Sequence, residues 1–245
     1  SIRKMKVRIK KLMEDIVREQ EIQRKNELDT LQSQINPHFL YNTLDMIRLK
    51  AAINKDTEVS QMLMKLVSFY RLSTKVYDSM VAVRKEVEML DAYMSLMCYR
   101  YSDIIYRSEI EPGALDIEIP NFILQPLLEN SLMHGLKDRR YQGTIILKIY
   151  RNEQDKNELN IWLIDDGIGI PDDKMAELNA YNAKDSEALY RVQTRTEGDR
   201  THLGVINVIS RLKLYYQENA EVIYMRNETG GTTVKIKIKT ASEET

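Results

Sequence analysis

Apolar residues recur along the first hundred positions in a helical rhythm. Ile2, Met5, Ile9, Leu12 and Ile16 alternate steps of three and four, the spacing of a short coiled-coil seam that a lone helix cannot bury. Residues 18–27 are almost wholly polar and interrupt the seam, and Leu28, Leu31 and Ile35 restart it. Pro37 breaks the pattern again, because a proline inside a helix removes a backbone donor and kinks the chain. Leu40, Leu44, Ile47 and Ala51 then form a new stripe. Asn54-Lys55-Asp56-Thr57 reads as a turn with a helix cap, and a second amphipathic helix carries Val59, Met62, Leu63, Leu66, Val67 and Tyr70 on one face. The pattern stops near Tyr77-Asp78-Ser79, after which a third helix carries Val83, Val87, Leu90, Met94 and Met97. Two long helices joined by a short turn make an antiparallel hairpin. With one wide apolar face, such a hairpin is expected to pair with a second copy as a dimeric four-helix bundle.

From Tyr101 the rhythm becomes that of strands. Runs at Ile104–Glu111, Gly143–Tyr150, Leu159–Asp165, Glu221–Met225 and Thr232–Lys239 are candidates. The last alternates strictly, Val234, Ile236 and Ile238 against Lys235, Lys237 and Lys239, which marks a sheet with one buried and one wet face. Asn227-Glu228-Thr229-Gly230-Gly231 supplies a hairpin turn before it. Helices are predicted at about 121–136 and 204–218. The second half therefore reads as an α/β sandwich with helices on one side of a mixed sheet, and the whole chain as α+β. Residues 171–203 are polar, charged and long for a loop, and are expected to form a mobile lid.

Composition narrows the picture. A length of 245 residues suits one large or two small domains, and the formal net charge of −1 argues against a dedicated nucleic-acid binder. The single cysteine, Cys98, excludes an internal disulfide, fits a reducing compartment and reads as inert core. No run is apolar enough to span a bilayer, and no signal peptide is visible. The chain enters an apolar repeat almost at Ser1, as expected of a piece of a longer protein whose missing part would hold any membrane segment.

Four short constellations carry possible chemistry. In Gln34–Asn42, His38 is a candidate nucleophile, needing one neutral, accessible ring nitrogen. At about 100° per residue it faces solvent on the phase of Leu40 and Leu44 but sits near the seam on the phase of Leu31 and Ile35, so an idle surface histidine remains the simpler reading of that segment. In Gln125–Gly135, Asn130 and His134 share a helical face, and an asparagine carbonyl is a hard oxygen suited to magnesium; an ordinary polar face serves equally well. Asp165-Asp166-Gly167-Ile168-Gly169 ends an apolar strand, where a buried carboxylate can accept from an exocyclic amine and glycines allow close approach, although Asp-Gly is also a common turn pair. Gly204 opens the last helix, where free amides bind phosphate. Each signal is weak alone; their fixed order is strong.

These residues resemble the YesM/LytS-type branch of sensor histidine kinases. Leu31–Leu44 is similar to its LQxQINPHFLYNTL block and Ile119–Gly135 to its IPxxxLQPLxENAxxHG block, while the second half resembles the ATP-binding fold of gyrase, Hsp90, histidine kinases and MutL. The resemblance implies a coiled-coil signalling helix at 1–27, dimerisation and phosphoacceptor helices at 28–102, and a catalytic ATP-binding domain at 103–245. It implies His38 as phosphoacceptor and Asn130 holding Mg2+ against the phosphates of ATP. Asp165 would contact adenine, Gly167 and Gly169 would wall the pocket, Gly204 would cap the lid, and His134 and Lys137 would approach the phosphates. A homodimer is implied, along with a response regulator that often carries an AraC-type DNA-binding domain, and a cytoplasmic position behind a membrane-bound sensor. Three departures stand out. Phe39 replaces the acid that commonly follows the phosphoacceptor, which leaves the base unassigned: Glu129 would serve from the nucleotide side, or Asn42 would orient the imidazole. His202 stands where a glycine is expected, with Val205 for leucine, and either change would weaken lid closure or ATP affinity. Asp166 replaces asparagine and adds charge near the phosphates. An ATPase or ATP-driven clamp without a kinase step, or a non-catalytic dimeric scaffold, are the alternatives.

Overall fold

The structure is a computed structural model that describes residues 37–74, 79–183, 189 and 200–240, with side chains at 40–73, 79–183, 189 and 204–240. The seam expected at 2–16, and its restart at Leu28, Leu31 and Ile35, lie outside these residues. The chain divides into two compact units, residues 1–67 and 68–245.

In the first unit, helix α1 (Pro37–Ile53) and helix α2 (Thr57–Thr74, running past the boundary) are joined by the turn expected at Asn54–Thr57. Lys55 takes a left-handed conformation (φ 62°). Its amide donates to the Ala52 carbonyl at 3.0 Å and that of Asp56 to Ala51 at 2.9 Å, the paired bonds that close a helix C-terminus. Asp56 then accepts the Val59 amide at 3.0 Å, capping α2. Two helices cannot bury both apolar faces: Ile47, on the expected stripe, is 48% exposed and Ile53 80%.

The second unit is built on a five-stranded sheet in the order β2-β4-β5-β7-β6. Its strands are β2 (Ile104–Ile110), β4 (Gly143–Arg151), β5 (Glu158–Asp165), β6 (Ala220–Arg226) and β7 (Thr232–Lys239), within a residue or two of the expected runs. Only β2 and β4 pair in parallel; the other three pairings are antiparallel. Helices α3 (Val83–Arg100), α4 (Leu124–Asn130) and α6 (Arg200–Tyr216) cover one face. A second sheet pairs two short strands, β1 (Met80–Ala82) and β3 (Glu118–Pro120), both too short to show a period in the sequence. On β7, Val234, Ile236 and Ile238 are buried while Lys237 and Lys239 are exposed, as the alternation requires. On the wet face the Lys235 ammonium lies 4.0 Å from the Trp162 ring centroid, a cation–π contact.

Three elements differ from the sequence reading. Helix α3 was expected with the hairpin, with a boundary at 102/103, but Val83, Val87, Leu90 and Met94 are buried in the core of the second unit against β2 and α4. An amphipathic stripe looks the same whichever partner covers it, which is why the sequence did not place it. Helix α6 begins at Arg200, a turn before the expected start. The third difference is at the front of the expected lid, which is ordered as α5 (Asp172–Ala180) and a 3-10 turn (Tyr181–Ala183). Its few apolar positions hid the period, yet Leu178 and Tyr181 are buried. Asn179 donates to the Tyr224 carbonyl at 2.9 Å and accepts its amide at 2.8 Å; Asn182 accepts the Val222 amide at 3.0 Å and donates to its carbonyl at 2.5 Å. Two side chains thus occupy the backbone groups of Val222 and Tyr224 at the outer edge of β6, where free groups would template pairing with another chain. Asn179→Ala is expected to cost about 1–3 kcal/mol in chemical denaturation, the usual penalty for stranding buried donors and acceptors; a change below about 0.5 kcal/mol would show that the edge is satisfied by water. Of the rest of the expected lid, Leu189 is buried and residues 200–203 begin α6; its other residues, and its expected mobility, lie outside the described residues.

Candidate functional site

Strand β5 turns Leu159, Ile161 and Leu163 into the core, and the same period of two turns Asp165 inward, opposite Ile145 of β4. A carboxylate therefore sits where the pattern calls for an apolar side chain, with only 2% of its surface exposed. Three hydrogen bonds hold it, leaving one of a carboxylate's roughly four acceptor positions, on Oδ2: Oδ2 accepts the Ser131 hydroxyl at 2.8 Å, and Oδ1 accepts the amides of Gly167 at 3.0 Å and Thr232 at 3.2 Å. Burial is the largest influence and pushes the Asp165 carboxyl above its ordinary range, with those three bonds opposing and the Asp166 charge adding to it.

Helix α4 stops at Asn130 and continues as a single π turn, Ser131–Leu136, a distortion common at functional sites. It seats Ser131 on Asp165 and brings Gly135 against the loop after β5. The Ile168 amide donates to the Gly135 carbonyl at 3.0 Å. Gly167 packs on the same backbone so closely that a Cβ there would lie 2.5 Å from the Gly135 oxygen. On the other side the β6–β7 turn closes over the loop. Gly231 lies against the Asp165 backbone, Gly169 (φ 75°) faces the Gly230 carbonyl, and the Asn227 side chain donates to the Asp165 carbonyl at 2.7 Å.

The structure thus gathers Asp165, Gly167 and Gly169 into one loop held between the π turn and the β6–β7 turn. Ser131, Gly135, Asn227, Gly231 and Thr232 belong to this cluster and were not singled out from sequence. In the sequence Gly230-Gly231 reads only as the end of a hairpin turn and Thr232 as the start of the last strand, and nothing in their local pattern points across the sheet to β5. Asn130 is half-buried at the end of α4, and among the described residues its amide has no hydrogen-bond partner. Glu129, about 100° round the helix, accepts from Gln125 at 2.9 Å. It also lies near Tyr93 of α3, whose hydroxyl is pushed up to about 12 by burial first and by the Glu129 charge second. His134 and Lys137 are exposed on and just after the π turn. Gly204 falls in the second turn of α6, its Cβ position 3.6 Å from Pro126 of α4. In the first unit His38 belongs to α1 and its side chain lies outside the described residues. Asn42 is exposed on the same helix. A broad groove on the wet face of the sheet, lined by Tyr150, Trp162 and Lys235 among others, includes none of the candidate residues.

Asp166 is not a loose negative charge. Its Oδ1 accepts the Thr144 amide at 2.8 Å and lies 3.6 Å from the Arg139 guanidinium, which also donates to its carbonyl. Asp166→Asn is therefore expected to change stability by less than about 1 kcal/mol in chemical denaturation, as for other partly exposed pairs. A loss above about 2 kcal/mol would show that these contacts hold the loop in place.

Among the described residues, no helix is long and apolar enough to cross a membrane and no group of three or more His, Cys, Asp or Glu residues is placed to hold a metal.

Comparison with known proteins agrees with this architecture. The histidine kinase family matches residues 26–105, and the histidine kinase-, DNA gyrase B- and HSP90-like ATPase family matches residues 116–242. The sensor protein LytS of Oceanobacillus iheyensis is 32% identical over 85% of this chain and 34% of its own length. The sensor histidine kinase YpdA of Escherichia coli is 28% identical over 89% of this chain and 35% of its own. For the sensor histidine kinase YesM of Bacillus subtilis the figures are 35% identity over 54% of this chain and 23% of its own. The chain thus spans about a third or less of these relatives. With that ATPase model matched over half its length and the histidine kinase model matched ahead of it, the chain belongs to the histidine kinase-, DNA gyrase B- and HSP90-like ATPase family.

Proposed function

We propose that this chain is the kinase portion of a two-component sensor histidine kinase, which binds ATP in the second unit and transfers the terminal phosphoryl group to His38. One observation carries the reading: a buried Asp165 at an inward strand position, held by three hydrogen bonds with an acceptor position of Oδ2 left over, in the same chain as a family-matched segment that contains His38. The carboxylate accepts from the exocyclic amine of adenine, and Gly167 and Gly169 let the base approach the loop backbone. Asn130, His134, Lys137 and the start of α6 near Gly204 line the route for the phosphates, with Gly204 packed beside the helix that ends in Asn130. An imidazole nitrogen of His38 attacks the γ-phosphorus, the bond to the ADP oxygen breaks, and the ring proton leaves to a base, for which Glu129 is the candidate in the nucleotide unit. Such transfer needs alignment and charge stabilisation more than covalent help. Phosphohistidine then passes its phosphoryl group to an aspartate of a response regulator, often one with an AraC-type DNA-binding domain. The exposed apolar residues of α1 and α2 support a four-helix dimer. The cytoplasmic side of a membrane, reached through further chain, is the proposed location.

The donor set fits magnesium. A single protein oxygen, the Asn130 carbonyl, with no acidic cluster nearby among the described residues, suits an ion that keeps its waters and binds mainly through substrate phosphates. When bound, the ion would neutralise phosphate charge beside Asn130. The test is Asn130→Ala, with ATP binding measured in magnesium and in chelator. Wild type is expected to lose about tenfold or more in affinity on chelation, and the variant less than about threefold. An unchanged magnesium dependence in the variant would remove Asn130 from this role.

A further inference from the structure

Glu86 lies on α3, away from the site, and is 1% exposed. Its Oε1 accepts the Phe122 amide at 2.8 Å and its Oε2 the Leu124 amide at 3.2 Å, and the Ile123 amide lies close by. Leu124 opens α4, the helix that ends in Asn130, and Phe122 and Ile123 lead into it, so the start of the nucleotide helix and the turn before it are held from another element. The turn it holds is strained: Phe122 sits at φ 57°, a region that is costly for an aromatic residue and that persists only where its surroundings enforce it. Arg211 of α6 donates to the Asn121 carbonyl at 2.5 Å in the same turn, and its charge lies near Glu86.

The chain that leads from α2 into this unit is stitched to the same place. Strand β1 pairs Met80 with Pro120 and Ala82 with Glu118. The Asn121 amide donates to the Ser79 carbonyl at 3.1 Å, the Val83 amide to Ile117 at 2.8 Å and the Arg84 amide to Leu115 at 2.9 Å. Residues 115–121 are thus the part of the nucleotide unit to which β1 and the start of α3 are hydrogen-bonded. Burial pushes the Glu86 carboxyl upward, and the three amides and Arg211 oppose it, which is the balance expected of a group kept for its bonds at some cost.

We propose that Glu86 is a positioning residue through which β1 and α3 set the seat of α4, and with it the affinity for ATP. The strained turn at Asn121–Ile123 is the element that relaxes when the Glu86 bonds are lost. This rests on the reading above that Asn130 and Asp165 hold the nucleotide.

The test uses the full chain and compares wild type with Glu86→Gln. The variant amide places a donor against one of the turn's amides, so at least one bond is lost without a change of shape. The expected result is a rise in KM for ATP of about tenfold with kcat within about twofold, and faster amide exchange through residues 121–131. A variant with a lower melting temperature but unchanged KM, and unchanged exchange at 125–131, would make Glu86 a fold-stabilising cap only and overturn the proposal. Should Glu86→Gln fail to fold, Arg211→Lys decides by the same criterion, since lysine keeps the charge but not the reach of the guanidinium to the Asn121 carbonyl. A wild type that takes no label from ATP would instead overturn the kinase reading, whereas a labelled wild type and an unmoved KM in the variant overturn this proposal alone.

Discussion

Replacing Gly167 with alanine is expected to abolish measurable ATP binding. A Cβ at this position would lie 2.5 Å from the Gly135 oxygen and 2.6 Å from its carbonyl carbon and Cα. All three are backbone atoms of the π turn, so no side chain can swing away to make room. Either the loop after β5 lifts or the π turn moves, and both break the 3.0 Å bond from Ile168 to Gly135. Overpacking of this kind costs about 1–3 kcal/mol in stability, which the large core of the second unit can absorb. The nucleotide site has no such reserve, because the displaced loop carries Asp165 and Gly169. A loss of at least about 100-fold in ATP affinity is expected, equivalent to about 3 kcal/mol, with the circular dichroism spectrum retained. Titration of ATP and ADP into the variant checks this; affinity within about threefold of wild type would mean that the loop does not form the pocket.

Asp165→Asn should be nearly as damaging, for a different reason. The carboxylate accepts a hydroxyl and two amides, whereas an asparagine offers one acceptor oxygen and two donor hydrogens. At least one buried donor is then left facing another donor, at about 1–3 kcal/mol, and the acceptor proposed for adenine is lost. Binding is expected to fall by at least about 100-fold. The pH dependence follows from the direction of the shift. In the fold the Asp165 carboxyl titrates above its ordinary 3.8, so the folded chain holds this proton more tightly than the unfolded one. Its contribution to stability is full below 3.8 and is lost as pH rises through the higher folded value. ATP affinity runs the opposite way, falling on acidification through that same folded value, because protonation removes the acceptor. Affinity measured from about pH 7 down to about pH 4 should show this fall in wild type. A curve that is flat until the ordinary carboxylate range would contradict it.

Much of the second unit was legible because its strands are long and alternate cleanly. Thr232–Lys239 could hardly be anything but a half-buried strand, and the turn at Asn54–Thr57 carried its own cap in Asp56. What was hidden depends on contacts distant in sequence. The α3 stripe of Val83, Val87, Leu90 and Met94 fits a bundle as well as it fits the sheet against which it packs. Helix α5 was too short and too polar to show a period, and its Asn179 and Asn182 give no local hint that they serve the edge of β6. Asp165 was legible as a carboxylate ending an apolar strand, while its partners Ser131 and Thr232 lie 34 and 67 residues away and look like ordinary polar positions. Asp166 looked like an uncompensated charge because the sequence does not show Arg139 beside it.

The central claim is that the nucleotide unit phosphorylates His38. The most direct test is incubation with γ-labelled ATP and magnesium, comparing wild type with His38→Gln. Acid-labile label on wild type and none on the variant is the predicted result. Label on both chains would contradict the assignment of His38, and hydrolysis by both with no labelled protein would show an ATPase without a kinase step.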